Sequence, residues 1–204
     1  MENISNKEKM LKGLLYDPAD QELSNLRHKA HQLCALYNQI TDEGDPRRSV
    51  ILKELLNVEE LPILQGPIQF DYGLFTHFGK NCYANFNLTI LDVCPVTIGD
   101  NVLFGPNVTI ATPLHPMYYE ERRLYEEAGV WKEMEYGKPI TIGNDVWIAS
   151  NVVICAGVTI GDGCVIGAGS VVTHDVEAYT LACGNPCRVI RHITEKDKLK
   201  KELF

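Results

Sequence analysis

The chain is 204 residues long, with 45% hydrophobic and 23% charged side chains. That composition supports one domain with a real core plus a small appendage, and it excludes a largely disordered polymer. Nineteen basic against 27 acidic residues leave a formal charge of −8, a surface that repels phosphate backbones and argues against nucleic-acid binding. No apolar run reaches the roughly 20 residues of a membrane span. The opening MENISNKEKM has no signal-peptide core. Seven cysteines, odd in number and without a CxxC pair, fit reduced thiols better than disulfides or structural zinc. The expectation is a cytoplasmic protein without a membrane, nucleic-acid or metal partner.

The first 60 residues have a helical period. Residues 5–15 predict a short helix before the turn Tyr16-Asp17-Pro18. Leu23, Leu26, Ala30, Leu33, Tyr37 and Ile40 recur at three and four, which puts one apolar stripe on a helix. Asp45-Pro46 is a cap followed by a first-turn proline, opening another helix through Ile51, Leu52 and Leu55. Residues 1–60 are therefore read as a helical cap that covers an otherwise open sheet edge.

A different period governs residues 61–191. An aliphatic residue returns every six positions at Ile142, Ile148, Ile154, Ile160, Ile166 and Val172, and a second register holds Val146, Val152, Val158, Cys164 and Ser170. The residue after each aliphatic one is mostly small: Gly143, Ala149, Cys155, Gly161, Gly167. Ile98, Phe104 and Ile110 repeat the pattern upstream, with a weaker start at Phe78, Ala84 and Ile90. A period of six fits neither a helix nor a hairpin strand. It fits a short strand, a sharp corner and one inward aliphatic side chain per side. Three sides close a coil of about 18 residues, stacked at the strand spacing of about 4.8 Å. The fold is thus mainly β, a left-handed parallel β-helix of hexapeptide repeats with an N-terminal α-helical cap. Outward apolar residues such as Val153, Val165 and Val171 suit packing about a threefold axis.

Two interruptions stand out. Ile90 and Ile98 are eight apart, which predicts a two-residue bulge at a corner. Ile110 and Ile142 are 32 apart, so residues 112–138 leave the helix as an extruded loop, where one or two helical turns are expected within EERRLYEEAG. Residues 192–204 form a C-terminal tail. Of the six histidines, His115 sits where the loop departs, His77 and His174 flank repeat corners, and His28, His31 and His192 lie in the cap and tail. There is no GxSxG elbow, P-loop or dinucleotide fingerprint. No second histidine is in phase with His115, as a zinc site of carbonic-anhydrase type on this scaffold would need. An inert scaffold would need no loop histidine with a polar set around it.

Several segments contain residues that the six-residue rule does not explain: KEKMLKGLLYDPAD near the start, FDYG at 70–73, YANFN at 83–87, LDVCPVTIGDN at 91–101, His115-Pro116, EYGKPITIGNDVWI at 135–148 and GNPCRVI at 184–190. In these the chain resembles, over nearly its whole length, the maltose and galactoside O-acetyltransferases of the hexapeptide-repeat superfamily. The resemblance implies an acetyl-CoA-dependent acyltransferase acting on a hydroxyl of a sugar or glycoside, with acetylation of an antibiotic or another small hydroxyl compound as the alternative. It implies that His115 takes the proton of the attacking hydroxyl, with direct transfer and no acetyl-enzyme. On the acceptor side it implies Asp17, Asp71, Tyr83, Asn85 and Asp92. For coenzyme A it implies Trp147, Ser150, Ala168 and Thr173 along the pantetheine groove, and His174, Arg188 and Arg191 near the phosphates. It also implies a homotrimer with sites between subunits. Three departures matter: Asp71 stands where the galactoside enzymes carry Ser, Val93 where they carry a second Asp, and His174 where the family usually carries Lys.

Overall fold

A computed structural model describes residues 4–58 and 60–199. Helix α1 (Asn6–Leu11) opens with a capping box between Ser5 and Glu8. Asp20 caps α2 (Gln21–Asn38), and Asp45, followed by Pro46 in the first turn, caps α3 (Pro46–Leu56). The α2 stripe buries Leu23, Ala30, Leu33 and Tyr37 as expected, while Ile40 falls beyond the end of the helix.

Short strands then stack on three faces. The first face contains Ile63–Leu64, Tyr83–Ala84, Leu103–Phe104, Trp147–Ile148, Val165–Ile166 and Thr180–Cys183, all parallel, and ends with antiparallel Arg188–His192. The second runs through Ile68–Phe70, Leu88–Leu91, Thr109–Ala111, Val153–Ile154 and Val171–Val172. The third holds Thr76–Phe78, Val96–Ile98, Ile140–Ile142 and Thr159–Ile160. The inward residues of both registers are buried, from Ile98 and Val102 through Ile166 and Val172. They form one core continuous with Leu33, Tyr37, Leu52 and Leu55 of the cap.

The cap treats the first coil as a neighbouring coil would. Asn38 accepts from the Ile68 N–H at 2.7 Å and donates to the Ile68 carbonyl at 2.9 Å. Arg48 and the Tyr37 hydroxyl both donate to the Leu64 carbonyl. Backbone groups that have no strand beside them are thereby satisfied.

Two kinds of corner residue divide the work. At Gly99 and Gly143 an added Cβ would lie 2.7 Å or less from atoms of the next coil, so smallness is required for close approach. The left-handed positions are instead filled mainly by asparagine. Asn81, Asn101 and Asp145 form one column and Asn87, Asn107 and Asn151 another, all with φ between 56° and 62°. Their side chains are bonded in ladders, Asn87 to Asn107 at 2.8 Å and Asn107 to Asn151 at 3.0 Å. Asparagine tolerates this backbone region better than other side chains with a Cβ.

The corner between the second and third faces breaks the rule. Inward positions across it are eight apart from Phe70 to Phe78 and again from Ile90 to Ile98, so the bulge recurs in successive coils, and in the next coil the extruded loop leaves from the same place. The loop departs through strand Pro113–Leu114 and returns through Tyr136–Gly137, which pairs with it antiparallel. Between them, EERRLYEEAG forms no helix. Glu121 and Arg123 close tight turns onto Tyr118 and Glu120, and Tyr125–Glu127 pairs with Val130–Lys132 in a hairpin. Its turn residues Ala128 (φ 52°) and Gly129 (φ 80°) have the positive angles of a type I′ turn, which overrides the helical preference of the glutamates.

Candidate active site

The enlarged corner gathers polar groups around a second, smaller apolar cluster of Met10, Tyr16, Leu23, Tyr72 and Val93. Asp92 organises it. Fully buried, its carboxylate accepts from the Tyr72, Gly73 and Phe75 N–H groups at 2.8, 3.2 and 3.3 Å and from the Thr76 hydroxyl at 3.0 Å. Burial pushes its pKa up to about 6, against the pull of those donors. The sequence reading set Asp92 among the acceptor contacts, but every one of these bonds points it inward, to shape the turn that carries Asp71. Val93, beside it, belongs to the apolar cluster.

Asp71 is half-buried at the mouth of this corner. Its Oδ1 lies 3.7 Å from His31 Nε2 of α2, and burial raises its pKa while His31 and Arg27 oppose the rise. Arg27 joins the pieces by donating to the Tyr72 hydroxyl at 3.1 Å and to the Pro18 carbonyl at 3.2 Å. This holds the Tyr16-Asp17-Pro18 turn beside Asp71. Asp17 accepts from the Ala19 N–H at 2.9 Å and keeps the turn closed. His115 is exposed and follows directly on strand Pro113–Leu114. Across from it the returning chain brings Glu135, whose carboxylate accepts from the buried Tyr16 hydroxyl at 2.8 Å. The sequence reading passed over Glu135 as part of EYGKP. Its signal is the antiparallel register, which no six-residue count contains.

The other expected residues lie elsewhere. Tyr83, Leu103 and Trp147 are consecutive cross-strand partners on the outside of the first face, with Leu103 and Trp147 about half exposed. Asn85, Ser150 and Ala168 occupy the corner between the first and second faces. Asn85 accepts from the Phe86 N–H at 2.8 Å, and Ser150 bonds through its carbonyl to Gly169, directly after Ala168. Thr173 and His174 leave the second face on the same side as Asp71 but at the far end of the stack, with the Thr173 hydroxyl 2.9 Å from His174 Nδ1. His174 and Arg188 line one cavity of about 560 Å³. Arg191 is held away from that cavity by Asp197, whose carboxylate takes both its terminal nitrogens at 2.7 and 2.9 Å. One chain therefore brings His115, Asp17 and Asp71 together, and separates them by the width of the second face from Tyr83, Asn85, Ser150 and Ala168.

The described residues contain no group of three or more His, Cys, Asp and Glu able to hold a metal ion. They also contain no helix long and apolar enough to cross a membrane. The cysteines in them are free, and burial raises the thiols of Cys34 and Cys94 to about 11, which suits packing rather than nucleophilic chemistry.

Residues 9–58 match the maltose acetyltransferase hexapeptide capping motif, residues 139–174 the bacterial transferase hexapeptide of six repeats, and residues 95–114 the hexapeptide repeat of succinyl-transferase. The galactoside O-acetyltransferase of Escherichia coli is 44% identical over 197 residues, covering 96% of this chain and 93% of that one. A galactoside acetyltransferase solved in complex with coenzyme A superposes with a TM-score of 0.87 at 42% identity, covering 98% of this chain and 96% of its own. A maltose O-acetyltransferase from Clostridium difficile gives 0.84 at 42% identity, covering 94% and 99%. The matched cap and repeats, together with near full-length similarity at this identity, make the chain a member of the maltose and galactoside O-acetyltransferase family of hexapeptide-repeat acyltransferases.

Proposed function

We propose that the protein transfers the acetyl group of acetyl-CoA to a hydroxyl of a sugar or glycoside, with His115 as general base. The observation that carries this is the enlarged corner, where Glu135 bonds Tyr16, next to Asp17, and lies within the electrostatic reach of both His115 and Asp71; the two aspartates are groups suited to binding vicinal hydroxyls. An alcohol is a poor nucleophile until its proton is removed as it attacks. In the proposed step the acceptor oxygen bonds to the thioester carbonyl carbon while its proton passes to the imidazole. Collapse breaks the carbon–sulfur bond, and the imidazolium returns the proton to the departing thiolate. No acyl-enzyme forms, so the free cysteines have no part in the chemistry.

The donor lies along the stacked corner of Ser150 and Ala168, where small residues admit the thin pantetheine arm, with Trp147 beside it and Thr173 further on. His174 and Arg188 meet the phosphates in their shared cavity, while Arg191 is partly neutralised by Asp197. His115, Asp17 and Asp71 lie on one side of the second face, whereas Tyr83, Asn85, Ser150 and Ala168 lie on the other. A full site therefore needs the Tyr83–Asn85–Ser150 side of a second copy set against the His115 side of the first. The proposed assembly is a homotrimer in the cytoplasm with three shared sites, packed through the half-exposed ladder of Tyr83, Leu103 and Trp147.

Thiol release from acetyl-CoA, measured with maltose, glucose, a galactoside and chloramphenicol, tests the reading. Acceptor-dependent release with a sugar, lost by about 10²- to 10⁴-fold in His115→Ala while the trimer persists, is the expected result. Release with chloramphenicol alone would move the acceptor to a drug. Equal activity in His115→Ala would overturn the base assignment.

A further inference from the structure

The strand that closes the extruded loop holds a chain of contacts that the mechanism above leaves unused. Tyr136 pairs with Leu114 and Gly137 with Pro113. Carried one residue further, that antiparallel register sets Glu135 directly opposite His115, and facing side chains at such positions have Cβ atoms about 4.5–5.5 Å apart. On its other side Glu135 is bridged by the cap: Tyr16 N–H donates to the Glu135 carbonyl at 3.0 Å and Glu135 N–H to the Tyr16 carbonyl at 3.2 Å. The Tyr16 ring is 1% exposed, and its hydroxyl spends its proton on the Glu135 carboxylate.

The anchorage is rigid. Tyr16 packs in the cluster with Met10, Leu23, Tyr72 and Val93. Just upstream, Gly13 (φ 69°) lies so near the loop that a Cβ there would stand 2.7 Å from the Gly137 carbonyl oxygen. Cys94 Sγ donates to the Met10 carbonyl at 3.1 Å, closing the same seam. A carboxylate is thus fixed by a residue 119 positions away in the cap, on the strand whose register faces the loop histidine.

We propose that Tyr16 and Glu135 are positioning residues: the cap tyrosine locks the Glu135 carboxylate, which orients the His115 imidazole and stabilises the imidazolium formed when the acceptor hydroxyl is deprotonated. Glu135 does not itself take the proton. Burial raises its pKa, while the Tyr16 hydroxyl and His115 favour its charged form. The other charged or titratable groups that bear on this pair are Asp71 and Tyr72 from the enlarged corner and Glu133 from the loop. The inference extends the general-base reading and depends on it. It also gives the cap a catalytic duty beyond covering the first coil.

The test compares kcat, KM and the pH profile of kcat/KM for the wild type, Glu135→Gln, Tyr16→Phe and His115→Ala, each checked for assembly and thermal unfolding. Without the negative charge the imidazolium is less stable, so Glu135→Gln moves the acid limb of the profile to lower pH. It also lowers kcat about ten- to a hundredfold with KM little changed. Tyr16→Phe keeps the carboxylate but frees it, lowering kcat several-fold without that displacement of the limb. Glu135→Asp, charged but one carbon shorter, recovers the wild-type limb and part of kcat. Inactive His115→Ala beside Gln and Phe variants with wild-type kcat and profile would overturn this inference alone. So would losses of activity that merely follow loss of folded protein. Active His115→Ala would overturn the base assignment and the inference with it.

Discussion

The two ends of the β-helix are built by different rules. In the later coils, from Ile142 to Val172, six-residue sides repeat without insertion, aliphatic side chains fill the interior, and asparagine or glycine turns the corners. In the earlier coils the corner between the second and third faces is swollen in each successive turn, and its interior holds a carboxylate, a tyrosine cluster and the base of a loop. Regular stacking makes a scaffold in which every coil resembles its neighbour. A site needs one place unlike its neighbours. Here the chain confines that difference to one edge, so the core beneath continues undisturbed.

Substitutions on either side sharpen the contrast. The largest effect is expected at the irregular edge and on activity alone: His115→Ala loses about 10²- to 10⁴-fold in turnover, while its exposed side chain leaves the denaturation midpoint unmoved. Ile154→Ala, in the regular stack, should do the reverse, lowering stability by about 3 kcal/mol in chemical denaturation and leaving kcat per folded molecule intact. Asp92→Ala should lower both, because about 3 kcal/mol is lost when its buried donors are left without an acceptor and the Asp71 turn goes with it.

A pH series divides the regions further. The folded state holds the Asp92 proton up to about pH 6, against an ordinary value of 3.8. Between those values the folded chain binds more proton than the unfolded one, so stability falls as pH rises and levels off above 6. Asp92→Asn should lack that limb in urea titrations, whereas Ile154→Ala should keep it. The smallest change is expected at Asn107→Ala, about 1–2 kcal/mol from the left-handed backbone and the lost ladder bonds. Asn107→Gly should recover the backbone part.

The two regions were also unequally legible in the sequence. Period six exposes Ile142 through Val172 because each inward position repeats one physical demand. The caps of α2 and α3 are equally plain, since Asp20 and Asp45-Pro46 act within a turn of themselves. The structural partners of Asp92 and Glu135 are hidden from a linear reading for one common reason: they lie 16 to 20 and 119 residues away, fixed by register and not by spacing. The EERRLYEEAG hairpin was missed because glutamate-rich composition suggested a helix, while the deciding feature was the positive φ of Ala128 and Gly129. That the expected site residues fall on separate corners is a property of closure in three dimensions, which no linear motif expresses.

Asn38 has a consequence for assembly. A stack of parallel coils is a template that can in principle be extended without limit, each exposed rim recruiting another rung. By placing an amide where the next rung would bond, the cap acts as a chain stopper at the leading rim. At the trailing rim of the first face, Arg188–His192 runs antiparallel to its neighbour and offers a parallel coil no matching register. With growth along the axis blocked at the first rung, a molecule that could have seeded a fibre has only its flanks free, which is where the proposed trimer would form.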